Sequence, residues 1–322
     1  MLADALAKRI GAEIVSADSM QVYRGMDIGT AKTPIGQRGV TYHGIDLVDP
    51  GQAFTAALYQ RYARKTIQEA WSRDHHVVFC GGSGLYLRAA LDDFDLDEAY
   101  DMADDGQEGQ PSLPFYGEKD AASPTRREQL LMQAEELGPE AFHGLLTDRD
   151  PRSAALIHPN NVRRVVRALE LLDQGTSYAQ ASAGFARYES IYSVRFVGLA
   201  LDRALLYQLI DNRVDAMIGQ GLLGEVQVLI SEGFREALTA AQAIGYKEVV
   251  PVLEGKATLK EATDSIKQAT RRYAKRQMTW FSKDPRIEWL EVSDLHKARL
   301  SNSIDGLELS RLLLSRTLDL LK

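Results

Sequence analysis

A short apolar run, Ala12 to Val15, stops in Ser16-Ala17-Asp18-Ser19, so a strand-like segment delivers a carboxylate and two hydroxyls at its carboxyl end. A second run, HVVFC at His76 to Cys80, stops in Gly81-Gly82-Ser83-Gly84 ahead of the helical string LYLRAAL. Between the two, Phe54 to Trp71 has a helical pattern with Leu58, Tyr62 and Ile67 among its apolar positions. Segments of this kind belong to α/β folds, whose open sheets bind ligands in the crevice outside the carboxyl ends of the strands. Asp18 is the first candidate for chemistry, although an Asp after a strand also suits a turn or a helix cap. Glycines between a strand and a helix let backbone N–H groups approach an anion, so the Gly81 to Gly84 turn suits a phosphate. It is not a serine-hydrolase elbow, because Leu85 stands where G-x-S-x-G needs its last glycine.

The 322 residues, 45% of them hydrophobic, suffice for one large or two moderate domains. No run of about 18 apolar residues occurs, and Asp4, Lys8 and Arg9 break any signal-peptide pattern, so a cytoplasmic protein without a membrane segment is expected. Cys80 is the single cysteine, which excludes an internal disulfide; its apolar strand suggests a buried, inert thiol. The six histidines form no Cys/His zinc pattern. In VTYHGIDLVDP, His43, Asp46 and Asp49 read as turn-capping groups rather than metal ligands.

The net charge of −7 is unevenly spread. Asp92 to Asp120 holds 11 acidic residues and one lysine, and reads as an exposed acidic loop insertion over 92–122. Lys256 to Lys283 holds 8 basic and 2 acidic residues, with Arg271, Arg272, Lys275 and Arg276 at helical spacing, a stripe suited either to phosphates or to a solvated helix face. From Thr125 to Gly175 the pattern is helical, and NNVRRVVRALELLDQG puts Arg163, Arg164 and Arg167 on one turn, suited to phosphate contact or to pairing with Glu170 and Asp173. SVRFVGLAL at Ser193 to Leu201 and IEWLEV at Ile287 to Val292 read as strands, and Leu307 to Leu321 as a closing helix. GQGLLG at Gly219 spells a dinucleotide fingerprint but follows a helix, which fails its context.

The string SADSMQVYRGMDIGTAK, with CGGSGLYLRAAL, HPNNVRRVVRALE, AIGYKE and TRRYAKRQMTWF following in order, resembles the tRNA dimethylallyltransferase (tRNA isopentenyltransferase) family. The resemblance implies an α/β fold with a P-loop NTPase-like parallel sheet core and an inserted all-helical domain. The domains expected are a first core part at 1–91, the acidic insertion at 92–122, a helical tRNA-binding insertion at 123–190 and a second core part at 191–322. It also implies a first strand and a phosphate loop of the G-x-x-x-x-G-K-S/T type, which these residues lack. The undamaged remaining motifs favour a start upstream of Met1 over an inactive relic.

The implied reaction moves a dimethylallyl group from dimethylallyl diphosphate to the exocyclic amine of the adenosine 3′ of the tRNA anticodon, with magnesium (Mg2+) on the diphosphate. By resemblance, Asp18 is the general base, Arg213 faces the diphosphate, and Ser83 stands in for a threonine that reaches the substrate. The tRNA anticodon stem-loop is expected at Asp18, Ser19, Met20, Gln21, Ser83, Arg127, Arg163, Arg164, Val165, Val166, Arg167, Gly245, Tyr246 and Lys247, with Tyr23 or Met20 filling the stack left by the extruded adenine. A monomer is expected. The other readings are a non-catalytic RNA-binding remnant and an adenylate isopentenyltransferase acting on free nucleotide.

Overall fold

Leucine and isoleucine at four-residue spacing start the chain as helix α1 (Leu2–Ile10), which ends where Gly11 takes φ 65°. Strand β1 (Ala12–Ser16), β2 (Tyr42–His43), α2 (Ala56–Ser72), β3 (His76–Cys80) and α3 (Gly84–Leu91) complete the first part of the core. Next come α4 (Arg126–Leu137), α5 (Pro139–Arg149), α6 (Pro151–Ala155), α7 (Val162–Asp173) and α8 (Tyr178–Ala183). The chain closes with β4 (Phe196–Ala200), α9 (Arg203–Gly219), α10 (Leu222–Ser231), α11 (Val250–Leu253), α12 (Leu259–Phe281), β5 (Ile287–Glu291), α13 (Ser293–Leu300) and α14 (Gly306–Leu320). This computed structural model describes residues 2–94, 96, 126–184, 187–237 and 239–321, so nearly all of the acidic insertion lies outside the described residues.

The chain divides into an α/β unit, Met1–Asp92 with Ser190–Lys322, and a helical unit, Asp93–Glu189. In the α/β unit, β1 runs parallel between β2 and β3, with Ser16 opposite Cys80, and β4 pairs parallel with β5 in a second sheet. All five residues of β1 are buried, which their central place requires. The expectation of a buried β3 and a buried thiol is corrected. This strand borders its sheet, so His76 and Cys80 are exposed and the three residues between are half-buried.

Helix α2 starts at Thr55, whose side chain accepts from the Leu58 amide. It packs on α3 through a Tyr59–Tyr86 stack with ring centroids 3.9 Å apart, and the Tyr59 hydroxyl donates to the Ser16 carbonyl at 2.9 Å, fixing the end of β1. In the helical unit, Leu130, Phe142, Leu146, Val165, Val166 and Leu169 form the core. Among the described residues, no helix is long and apolar enough to cross a membrane.

Glu13 breaks the apolar rule of a central strand, being 3% exposed. Arg73 donates to it at 2.8 and 3.0 Å, with the His75 ring at 2.7 Å and the His43 ring at 2.5 Å. The Arg73 hydrogen bonds lead the histidine contacts in holding its carboxyl down at about 2, against the opposing effect of burial. His43 therefore serves a structural carboxylate on β1 rather than capping a turn of its own segment. Because the pKa is depressed in the fold, this stabilisation is present above the unfolded value near 4.5 and is lost as pH falls toward 2. Glu13→Gln leaves Arg73 without its buried partner. It is expected to cost about 3 kcal/mol at neutral pH and to flatten the acid limb of stability below pH ~4.5, both read by urea denaturation. An unchanged acid limb would contradict the assignment.

Candidate active site

The turn after β1 is folded by its own polar side chains. The Asp18 carboxylate accepts from the Met20 amide at 2.9 Å, and the Gln21 amide donates to the Asp18 carbonyl at 3.2 Å. The Ser16 hydroxyl donates to the Gln21 carboxamide oxygen at 2.8 Å, while the Gln21 amide group donates to the Thr30 carbonyl at 3.0 Å. Gln21 thus holds the loop together with both ends of its side chain.

The rest of the loop is anchored by two residues that sequence reasoning gave no role. The Lys32 ammonium, nearly buried, donates to the Tyr23 carbonyl at 2.6 Å, to Asp27 at 2.8 Å and to Asp46 at 2.5 Å. Glu225 on α10 accepts from the Ile28 and Gly29 amides at 2.8 and 3.3 Å and from the Tyr246 hydroxyl at 2.6 Å. Gly29 is required here, because a Cβ would lie 2.2 Å from the Tyr246 ring. Nothing in the local sequence marks Glu225, whose partners are about 200 residues upstream in the loop or 21 residues downstream. Lys32 closes the long loop string SADSMQVYRGMDIGTAK, which gives its side chain no visible partner in sequence.

The Gly81 to Gly84 turn lies beside this loop. The Ser83 amide donates to the Ala17 carbonyl at 3.0 Å, the Ser19 amide to the Ser83 hydroxyl at 3.1 Å, and the Ser83 hydroxyl to the Ser19 hydroxyl at 3.3 Å. One hydroxyl therefore ties both strand-end turns together. Helix α12 closes over them: Gln277 donates to the Gly82 carbonyl at 3.0 Å, and a Cβ on Gly84 would lie 2.1 Å from the Trp280 ring. Burial and the charge of Asp18 raise the Tyr273 phenol, against the lowering effect of the nearby Gln277 and Ser83 side chains.

Asp18 is half-buried in this corner. Burial pushes its carboxyl up, against the Met20 amide and the positive charges of Arg213 and Lys32. Arg213 stands exposed on α9 and forms no ion pair among the described residues. The corner therefore offers a carboxylate of raised basicity, a hydroxyl, a phenol and an uncommitted guanidinium, a set suited to taking a proton while charge develops on a leaving anion.

Several residues expected at the RNA are placed elsewhere. Val165 and Val166 are fully buried in the helical core, so their side chains fix the helix face and cannot reach a ligand. Tyr246 is fully buried with its hydroxyl on Glu225, so its ring is core and not a stacking platform. Tyr23 is fully buried too and cannot fill a vacated base stack. Gly245 turns the chain at φ 97° and donates to Glu248 at 2.8 Å, which leaves Lys247 as the half-exposed cation of that turn.

In the helical unit one of the two alternative partners of the arginine turn is already engaged. Asp173 pairs with Arg126 and Arg149, each at 2.7 Å, and Glu170 lies 3.9 Å from Arg127. Arg163 and Arg164 are exposed and form no ion pair among the described residues, while Arg167 is half-buried. Helix α12 sorts its charges likewise. Lys260, Lys267 and Arg271 pair with Asp264, Asp215 and Asp211, whereas Arg272, Lys275, Arg276 and Lys283 form no ion pair among the described residues.

The family described as IPP transferase matches residues 21–284. The chain belongs to this family. A tRNA dimethylallyltransferase of Carboxydothermus hydrogenoformans is 43% identical over 289 residues, covering 89% of this chain and 86% of that one. The tRNA dimethylallyltransferase of Bacillus subtilis is 39% identical over 307 residues, covering 94% and 91%. Among solved structures, a tRNA delta(2)-isopentenylpyrophosphate transferase of Staphylococcus epidermidis is similar with a TM-score of 0.62 and 32% identity, covering 99% of this chain and 93% of that one. A eukaryotic dimethylallyltransferase acting on tRNA gives 0.72 and 26% identity, covering 92% and 72%. For an IPP transferase, the matched span takes in the loop from Gln21, the glycine turn, the helical unit and all of α12.

Proposed function

We propose that this chain transfers a dimethylallyl group from dimethylallyl diphosphate to the exocyclic amine of the adenosine 3′ of the anticodon in tRNA. The observation that carries the mechanism is the Asp18 corner: a half-buried carboxylate of raised pKa, fixed by the Met20 amide and facing the charge of Arg213. An adenine amine is a weak nucleophile because its lone pair is delocalised into the ring. As that lone pair forms the bond to C1 of the donor, the C1–O bond breaks and diphosphate leaves with the electron pair. The amine proton passes to the Asp18 carboxylate. Arg213 and the N–H groups of the glycine turn stabilise the departing charge.

Among the described residues no group of three or more His, Cys, Asp or Glu side chains is placed to hold a metal. Magnesium belongs to the proposal only as an ion carried by the diphosphate oxygens, and no step is assigned to it. Both candidate sites belong to one chain, which supports action as a monomer, and a tRNA substrate suits the cytoplasm.

Arg163 and Arg164, exposed and without an ion pair among the described residues, favour tRNA over a free nucleotide, which needs no second unit. With labelled dimethylallyl diphosphate offered to an anticodon stem-loop and to AMP in parallel, label is expected in the stem-loop alone. Label in AMP would move the assignment to an adenylate transferase. Replacing Arg163 and Arg164 by Ala together is expected to weaken stem-loop binding and to reduce the slope of log K against log salt by about 0.7–0.9 for each phosphate no longer neutralised. An unchanged slope would return both arginines to a solvated helix face.

A further inference from the structure

The chain leaves the α/β unit after Asp92 and re-enters it at Ser190. The two crossing strands meet in a single antiparallel bridge, Asp92 to Ser190. The Ile191 amide and the Ser190 hydroxyl both donate to the Leu91 carbonyl, at 2.9 and 2.7 Å, and the Asp93 amide donates to the Glu189 carbonyl at 3.0 Å. A two-stranded ribbon this short is marginal by itself.

It is held by a buried charge cluster. Asp92 is 1% exposed, and its carboxylate accepts from Arg88 at 2.5 Å and from Arg286 at 2.6 and 3.2 Å. Arg286 also forks onto Asp284 at 2.9 and 2.7 Å and lies 4.5 Å from the Phe196 ring centroid. The Asp92 carbonyl accepts from Arg64 at 2.9 Å. Groups from α2, the end of α3 and the turn before β5 thus converge on Asp92, while the Phe196 ring on β4 packs against Arg286.

Burying charges is costly, and a buried ion pair is weak evidence for stability; its best-attested use is to impose one register over its alternatives. These groups belong neither to the Asp18 loop nor to the glycine turn. We propose that the Arg88–Asp92–Arg286–Asp284 cluster is a positioning device that locks the register of the two crossing strands and thereby sets affinity for tRNA. This rests on the reading that the helical unit carries RNA-binding arginines. Arg286 is the key member, because its planar fork makes two hydrogen bonds to each of the two carboxylates, a paired geometry that a lysine cannot reproduce.

The test is steady-state transfer by the full chain with Arg286→Gln, Arg286→Lys and Arg164→Ala, joined to amide hydrogen exchange. Arg286→Gln is expected to raise KM for the anticodon stem-loop roughly ten-fold, the size of an ordinary coupling between sites. The kcat and the KM for dimethylallyl diphosphate stay within about two-fold, Arg286→Lys falls between, and exchange quickens at Asp93 and Ile191 but not in β1. An unchanged stem-loop KM alongside faster local exchange overturns the proposal, as does a fall in kcat at constant KM. If Arg286→Gln does not fold, Ser190→Ala removes the hydroxyl bond to Leu91 and must raise the same KM. Arg164→Ala separates the two levels. A raised KM there with none in Arg286→Gln overturns the cluster alone, whereas no change in either overturns the RNA-binding reading beneath it.

Discussion

Asp18→Asn lowers transfer by roughly 10²-fold or more while leaving stem-loop binding unchanged. An asparagine keeps an acceptor oxygen for the Met20 amide, so the turn survives, but it takes no proton from the attacking amine. The wild-type rate must fall on the acid side, because the base works only when ionised. Burial places that limb above the ordinary carboxylate value of 3.8. The variant loses the limb altogether. Stability moves the other way: a carboxyl whose pKa is raised by folding destabilises the protein above that pKa, so the Asp18→Asn protein melts at the wild-type temperature or higher. Near-normal turnover in this variant would remove the general-base role.

Arg213→Ala is expected to lower kcat/KM for dimethylallyl diphosphate by about 10²-fold, the usual size of losing one donor to a developing oxyanion. Arg213 is exposed and forms no ion pair among the described residues, so its loss leaves the fold intact and the melting temperature unchanged. A second signature is specific to this geometry. Arg213 holds the Asp18 carboxyl down, so its removal shifts the acid limb to higher pH. Reduced turnover with an unmoved limb would place Arg213 away from Asp18.

Sequence periodicity located the elements well wherever one face is buried. The Phe54 to Trp71 helix, the IEWLEV strand and the closing helix at Leu307 to Leu321 all stand within a residue or two of their observed bounds. The Asp18 corner was legible because strand-end carboxylates and glycine turns are local signals. What failed was orientation. Val165, Val166 and Tyr246 lie within strings that look like RNA contacts, yet the 3.6-residue period turns two of them inward and Glu225 draws in the third. Glu225, Gln277 and Arg286 were missed because each acts on a segment about 190–200 residues away in sequence. Pairings such as Asp173 with Arg126 and Arg149 are likewise tertiary facts, and they are what leaves Arg163 and Arg164 available.

The most direct test of the account measures binding and transfer on one preparation purified from the native source, using an unmodified anticodon stem-loop and saturating labelled dimethylallyl diphosphate. Stem-loop binding is expected together with label on the exocyclic amine of the adenosine 3′ of the anticodon, and Asp18→Asn is expected to retain binding and lose the label. Stem-loop binding with no label in the RNA at any diphosphate concentration would contradict it and make the chain an RNA-binding protein without catalysis.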